Sequence, residues 1–223
     1  MRGHRNFQFS SLLAFHFQSR YGRAARLRST KGIDVDANSE TVLHTGNRMP
    51  VLGLGTWQLT DDTPGTVENA LRLGYRLIDT SGDYGTQPGI GEGIRRSGIE
   101  RSGFYLVTKV EETDDSYEAT VKNLAELGLD QADLMLIHRP PSSGPGEALW
   151  RGLIRAKEDG LTRDIGVSNY SIKQIEALIE ATGKVPVVNQ IEWSPFGRNA
   201  PLCEGKQHRH PGLQPTHSHQ AAS

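Results

Sequence analysis

Five short apolar runs, each closed by a polar residue, set the rhythm of the chain: YRLI ends in Asp79, FYLVT in Lys109, DLMLI in His138, RDIGV in Ser168 and Asn169, and VPVVN in Gln190. Runs of this length that are apolar at successive positions suit strands buried on both faces. The closing residues are 30, 29, 30 and 22 positions apart, and the intervals carry apolar residues at helical spacing. Alternating strand and helix predicts an α/β fold, an α/β sheet or a (β/α)8 barrel of parallel strands, with the polar strand ends gathered on one face. Asp79, Tyr84, Lys109 and His138 then converge on one mouth.

The remaining punctuation agrees with this reading. Before the first unit, TVLHTGNRMPVLGLGTW reads as a hairpin turned by Thr45, Gly46 and Asn47, followed by a strand that ends at Thr56 and Trp57. A first helix is expected from an N-cap at Thr63, with Pro64 in its first turn, Val67, Ala70 and Leu71 inward, and a stop near Gly74. A later helix starts at Asp114 or Ser116, turns Val121, Leu124 and Leu127 inward and stops at Gly128. Two more span 148–157 and 172–181, closed by Gly160 and Gly183, the second capped by Ser171. The acidic cluster Glu111, Glu112, Asp114 and Asp115 is read as a solvated helix start favoured by the helix dipole, not as a metal site, and no metal-binding set is expected.

Composition narrows the function. A formal charge of −1 with 23% charged residues points neither to nucleic acid nor to an anionic membrane. The single cysteine, Cys203, makes no internal disulfide, and no apolar run approaches ~18 residues. These features leave the oligomeric state open. Residues 1–33 hold six Arg, four Ser and no acid. They read either as a disordered extension or as a mitochondrial transit segment, the alternative to a cytoplasmic location. Three regions result: an extension at 1–38, a barrel-like domain at 39–196 with about six of eight βα units and the hairpin, and a tail at 197–223. The tail is rich in Pro, Gly and His and has no apolar run, so it is expected to be disordered. Its pairs His208/His210 and His217/His219 read as surface histidines.

Residues 74–91, GYRLIDTSGDYGTQPGIG, resemble the first signature of the aldo-keto reductase family, with Gln87 where the family has Glu. Leu153 followed after nine residues by RDIGVSNY matches its second, and TKV and LIH fall where the family keeps its Lys and His. The resemblance covers roughly residues 41–196. It implies NADPH-dependent reduction of an aldehyde or ketone, with Tyr84 as general acid, Lys109 and Asp79 tuning it and His138 orienting the carbonyl. It also implies that Ser168, Asn169 and Gln190 hold the nicotinamide carboxamide, that Thr56 lies near the cofactor and that Trp57 lines the substrate pocket. Arg139 stands where many relatives carry Trp, which makes the pocket rim more polar.

The residue types suit that chemistry. A phenol with pKa ~10 is a modest acid near neutral pH; an adjacent ammonium lowers that pKa, and a carboxylate holds the ammonium in place. Each pairing also has a purely structural reading, an Asp–Lys ion pair or a packed histidine, but their order along one repeat favours catalysis. No G-x-G-x-x-G follows a strand, so Rossmann-type binding is not expected. The apolar pattern ends at Gly197, before any seventh or eighth unit. A truncated or frame-altered, catalytically inactive or regulatory relative is therefore the alternative, and little or no reductase activity is expected from this sequence.

Overall fold

The computed structural model describes residues 13–17 and 39–192. Within 39–192 the chain folds as the repeat predicts. Strands β1 (Leu13–Phe17), β4 (Leu54–Gly55), β5 (Leu77–Asp79), β6 (Tyr105–Val110), β7 (Ala132–Ile137), β8 (Thr162–Ser168) and β9 (Val188–Glu192) form one sheet in the order β1-β9-β8-β7-β6-β5-β4. From β4 to β9 every neighbouring pair is parallel. Helices α1 (Thr63–Arg72), α2 (Gln87–Ser97), α3 (Ser116–Leu127), α4 (Glu147–Glu158) and α5 (Ile172–Thr182) fill the crossovers. This is a curled, six-stranded parallel half-barrel with its helices outside.

Alternation along the strands divides the core in two. Successive side chains in a strand point to opposite faces. Ile78, Leu106, Met135, Ile137, Ile165 and Val167 face out and pack with Leu71, Ile90, Leu124, Trp150 and Leu178 of the helices. Leu77, Tyr105, Val107, Leu134, Leu136 and Val188 face in and form a second cluster with Leu43 and Met49. The same parity carries the inner face onward to Asp79, Lys109, His138, Ser168 and Gln190. One rule of local geometry thus sends all five strand-end polar groups to one side.

The hairpin closes the opposite end. Its strands β2 (Glu40–Val42) and β3 (Arg48–Pro50) pair antiparallel, and Gly46 sits at φ 90° in the turn, where a Cβ is disfavoured. Thr45 Oγ1 and Asn47 Nδ2 both donate to Asp164 Oδ2, at 3.2 and 2.8 Å, near the start of β8. Leu43 and Met49 thereby cap the inner cluster from the N-terminal ends of the strands, away from the polar groups.

Several details depart from the sequence reading. The N-cap of α1 is Asp62, not Thr63: its Oδ1 accepts from Gly65 N at 2.9 Å, while the Thr63 hydroxyl donates to the Leu59 carbonyl. In α3, Val121 is exposed, and Thr120 and Asn123 are buried in its place. The reason is polar: Asn123 Nδ2 donates to the Lys109 carbonyl at 2.8 Å, which fixes the rotation of the helix. Ser171 and Gln174 form the expected cap of α5 as a reciprocal capping box. Leu13–Phe17, within the extension expected to stay outside the fold, pairs antiparallel with β9 from Leu13↔Glu192 to Phe17↔Val188. The rest of that extension, and the tail at 197–223 with its histidine pairs, lie outside the described residues. Among the described residues no helix is long and apolar enough to cross a membrane.

Gln87 explains its own departure from the signature. It is fully buried, its Oε1 accepts from Thr108 Oγ1 at 2.8 Å, and its Nε2 donates to Asn123 Oδ1 and Glu126 Oε2 at 3.1 and 2.8 Å. An amide supplies both the acceptor and the donors this position uses. The signature's last glycine, Gly91, lies where α2 crosses α3, and a Cβ there would run into the Leu127 carbonyl.

Candidate active site

The C-terminal ends of the strands surround a cleft of about 420 Å³ lined by Thr56, Trp57, Asp79, Tyr84, Lys109, His138, Arg139, Ser168, Asn169 and Gln190, among others. All ten residues singled out from the sequence are there. Asp79 and Lys109 form its floor. Their side chains are 4% and 2% exposed, so the ion pair is shielded from solvent. The ammonium donates to Asp79 Oδ1 and Oδ2 at 3.0 and 2.9 Å and to the Thr80 carbonyl at 2.7 Å. Gln190 Nε2 also donates to Asp79 Oδ1, at 3.1 Å. Thr56 donates to the Asp79 carbonyl at 3.0 Å and tethers β4 to this floor.

Tyr84 closes a single 3-10 turn, Gly82–Tyr84, directly after β5. Gly85, at φ 67°, reverses the chain there. The Tyr84 ring lies edge-on to His138 with centroids 5.6 Å apart, and Tyr84 Oη is 3.4 Å from His138 Nε2. Lys109 Nζ is 5.2 Å from the centre of the Tyr84 ring. Here the electrostatics differ from the expectation. Burial pushes the Tyr84 phenol well above its ordinary value, the carboxylates of Asp79, Asp83 and Glu111 push it further, and only Arg139 opposes them. The Lys109 ammonium, engaged by Asp79 and the Thr80 carbonyl, does not outweigh them. The group facing the cleft is a neutral phenol, a proton donor.

His138 has a partner that the sequence reading left on the surface. Glu111 Oε1 and Oε2 lie 2.8 and 3.1 Å from His138 Nδ1, and Ser81 Oγ donates to Glu111 Oε1 at 2.9 Å. The acidic cluster therefore divides: Asp115 caps α3, as expected of a helix start, whereas Glu111 turns into the site. A signal was available. Glu111 follows Lys109 by two residues, as Ser81 follows Asp79, and so continues the inward parity beyond the strand. Arg139 is half exposed and ion-paired, 3.1 Å from Asp83, 3.6 Å from Glu111 and 3.9 Å from Glu112. The nearest ligand-type atoms of Asp83, Glu111 and His138 lie within 4.8 Å of one another, and the cation against them is this guanidinium. Trp57 is 59% exposed, an apolar plate at the rim rather than a core residue.

On the other wall, Ser168 Oγ donates to the Gln190 carbonyl at 3.0 Å, and Asn169 Nδ2 donates to Ser168 Oγ and the His138 carbonyl at 3.1 and 3.2 Å. Asn169 adopts φ 61°, a left-handed conformation that Asn tolerates better than most residues. Asn169 and Gln190 each bring an amide oxygen as well as an N–H group to this side of the cleft. A carboxamide, which needs acceptors for its N–H groups and donors for its oxygen, matches what this wall offers.

Comparison with known proteins agrees with this geometry. A sequence profile described as "Aldo/keto reductase family" matches residues 51–209. The chain is 43% identical over 160 residues to an aldo-keto reductase of Mycobacterium sp. (strain JLS), covering 69% of this chain and 58% of that protein. It is 38% identical over 158 residues to methylglyoxal reductase DkgA of Escherichia coli (strain K12), again covering 69% and 58%. Among solved structures it is similar to an aldo/keto reductase from Brucella melitensis, with TM-score 0.67, 41% identity, and coverage of 72% of this chain and 66% of that one. It is also similar to a Bombyx mori aldo-keto reductase in complex with NADP, with TM-score 0.69, 32% identity, and coverage of 74% and 61%. The matched segment thus spans 58% of the length of these curated relatives.

Proposed function

Since the chain belongs to the aldo/keto reductase family, we propose that its cleft binds NADPH and reduces the carbonyl group of a small aldehyde or ketone. The observation that carries this reading is the meeting, in one cleft, of a neutral, half-buried phenol, a shielded Lys–Asp pair, a histidine and a wall suited to a carboxamide. When bound, the dihydronicotinamide supplies the hydride that the carbonyl carbon accepts. Ser168, Asn169 and Gln190 would hold its carboxamide, through the hydroxyl and the amide groups. The NADP-bound Bombyx relative supports that choice of cofactor.

Tyr84 donates the proton that the developing alkoxide needs. Its high pKa keeps the proton in place until negative charge builds nearby, and Lys109, 5.2 Å from its ring centre, stabilises the phenolate left behind. Asp79 acts on Tyr84 only through Lys109, by fixing the ammonium. His138 stands beside Tyr84, where it helps place the carbonyl oxygen. Trp57 and Arg139 line the substrate side. The ion-paired Arg139 makes that rim polar without leaving an unpaired cation to select for anions.

Titration of the full chain with NADPH, followed by quenching of tryptophan fluorescence, tests the first half. Assay of NADPH oxidation with an aldehyde panel tests the second. Saturable quenching with turnover that Tyr84→Phe lowers by about 100-fold or more supports the reading. Saturable binding without turnover supports instead a cofactor-binding protein that does not catalyse, and no binding removes both.

A further inference from the structure

The hydrogen bonding around His138 fixes where its proton sits. An ionised carboxylate only accepts hydrogen bonds. With Glu111 oxygens at 2.8 and 3.1 Å, Nδ1 of His138 has to be the protonated nitrogen. Nε2 of the neutral ring then carries a lone pair, and it faces Tyr84 Oη at 3.4 Å. A lone pair cannot donate a hydrogen bond to a carbonyl oxygen. Nε2 becomes a donor only when the ring gains a second proton.

From this geometry we infer that Glu111 is a positioning residue that dictates the protonation pattern of His138. In the neutral ring His138 accepts from the Tyr84 hydroxyl. With Nε2 an acceptor, His138 orients the Tyr84 hydroxyl. That role in carbonyl reduction rests on the proposed function above; the placement of the proton does not.

The surroundings are consistent with this. The titratable and charged groups against the ring are Glu111 from the loop after β6, Asp83 and Tyr84 from the turn after β5, and Arg139 from the loop after β7. The Lys109–Asp79 pair, beside the Tyr84 ring, is engaged with itself and the Thr80 carbonyl. Asp83 Oδ1, 3.6 Å from Nδ1, adds negative charge on the same side as Glu111, and Arg139 Nη2, 3.4 Å from Nδ1, opposes it. Glu111 is held from two directions, by the Ser81 hydroxyl and by Arg139, so its carboxylate is aimed before any ligand arrives.

The proton placement is read directly in the full-length chain labelled with 15N-histidine, by two-bond 1H–15N correlation of the ring nitrogens without cofactor or substrate. The His138 signals are identified by their absence in His138→Gln or, if that variant does not fold, by ring contacts to Tyr84. At alkaline pH an Nδ1–H tautomer is expected, retained in Glu111→Gln, whose amide oxygen still accepts, and lost in Glu111→Leu. An Nε2–H tautomer in the unmodified chain overturns the proposal, whether or not the protein turns over. With an active enzyme, Glu111→Leu should lower kcat/KM by about 10- to 100-fold and Glu111→Gln should restore most of it. Unchanged kcat/KM in Glu111→Leu refutes the positioning role while leaving carbonyl reduction itself intact.

Discussion

Removing either member of the Lys109–Asp79 pair is the most informative perturbation of the cleft floor. Lys109→Met leaves the Asp79 carboxylate facing only Gln190 Nε2, and Asp79→Asn leaves the ammonium with no counter-charge in contact. Both side chains are at least 96% shielded from solvent. An uncompensated charge at such depth costs about 3–5 kcal/mol. For a domain of this size about 1 kcal/mol lowers Tm by roughly 2–4 °C, so each single variant should melt about 6–20 °C early. The double variant Asp79→Asn/Lys109→Met carries no buried charge. Its main remaining penalty is the Thr80 carbonyl that loses the ammonium, about 1–3 kcal/mol. It should therefore be more stable than either single variant. Thermal and urea unfolding, followed in parallel by tryptophan fluorescence and far-UV circular dichroism, give the comparison. A double variant that loses the sum of the two single losses would show that the charges do not compensate one another, and the account of the floor fails.

Three further perturbations test other parts of the structure. Burial raises the phenols of Tyr84, Tyr105 and Tyr170, so the stability they contribute is complete below about pH 10, the unfolded value, and is lost as pH climbs towards their folded values. Their phenolate absorbance should appear together with unfolding; ionisation of all six tyrosines in a folded chain contradicts this. Gln87→Glu sets a carboxylate against Glu126 and removes two donated hydrogen bonds; it should destabilise by about 1–3 kcal/mol at neutral pH, with partial recovery in Glu126→Gln, and equal stability would refute the amide argument. Gly91→Ala forces α2 away from the Leu127 carbonyl and should lower the urea midpoint by the equivalent of about 1–3 kcal/mol, whereas a small gain from helix propensity would mean that α3 shifts freely.

Much of this site was legible because one periodicity serves both fold and chemistry. Two-residue alternation in β5 to β9 buries Leu77, Val107, Leu136 and Val188 and, on the same face, delivers Asp79, Lys109, His138 and Gln190. What the sequence pattern left out depends on contacts between elements. Val121 satisfies the helical period of α3, yet Asn123 decides which face turns inward by bonding the Lys109 carbonyl. Glu111 sits in an acidic run that looks solvated; its two-residue step from Lys109 turns it inward, but its partner, His138, lies 27 residues further along the chain. The raised pKa of Tyr84 is hidden from the sequence for a similar reason. The strand ends showed that an ammonium was near, but not that Asp79 and the Thr80 carbonyl would engage it fully.

The pairing of β1 with β9 bears on the order in which the cleft is built. The parallel strands β4 to β9 join neighbours in sequence, each closed by a loop of one helix, whereas Leu13 meets Glu192 across nearly the whole described chain. Closing so long a loop carries the largest entropic cost of any pairing in the sheet, and such non-local contacts form late in folding. Phe15 lies opposite Gln190, so the wall assigned to the carboxamide gains its last neighbour when the first strand docks. The Lys109–Asp79 floor, between adjacent strands, can assemble well before that, which makes β9 the place where a folding defect and a defect in the proposed cofactor binding would coincide.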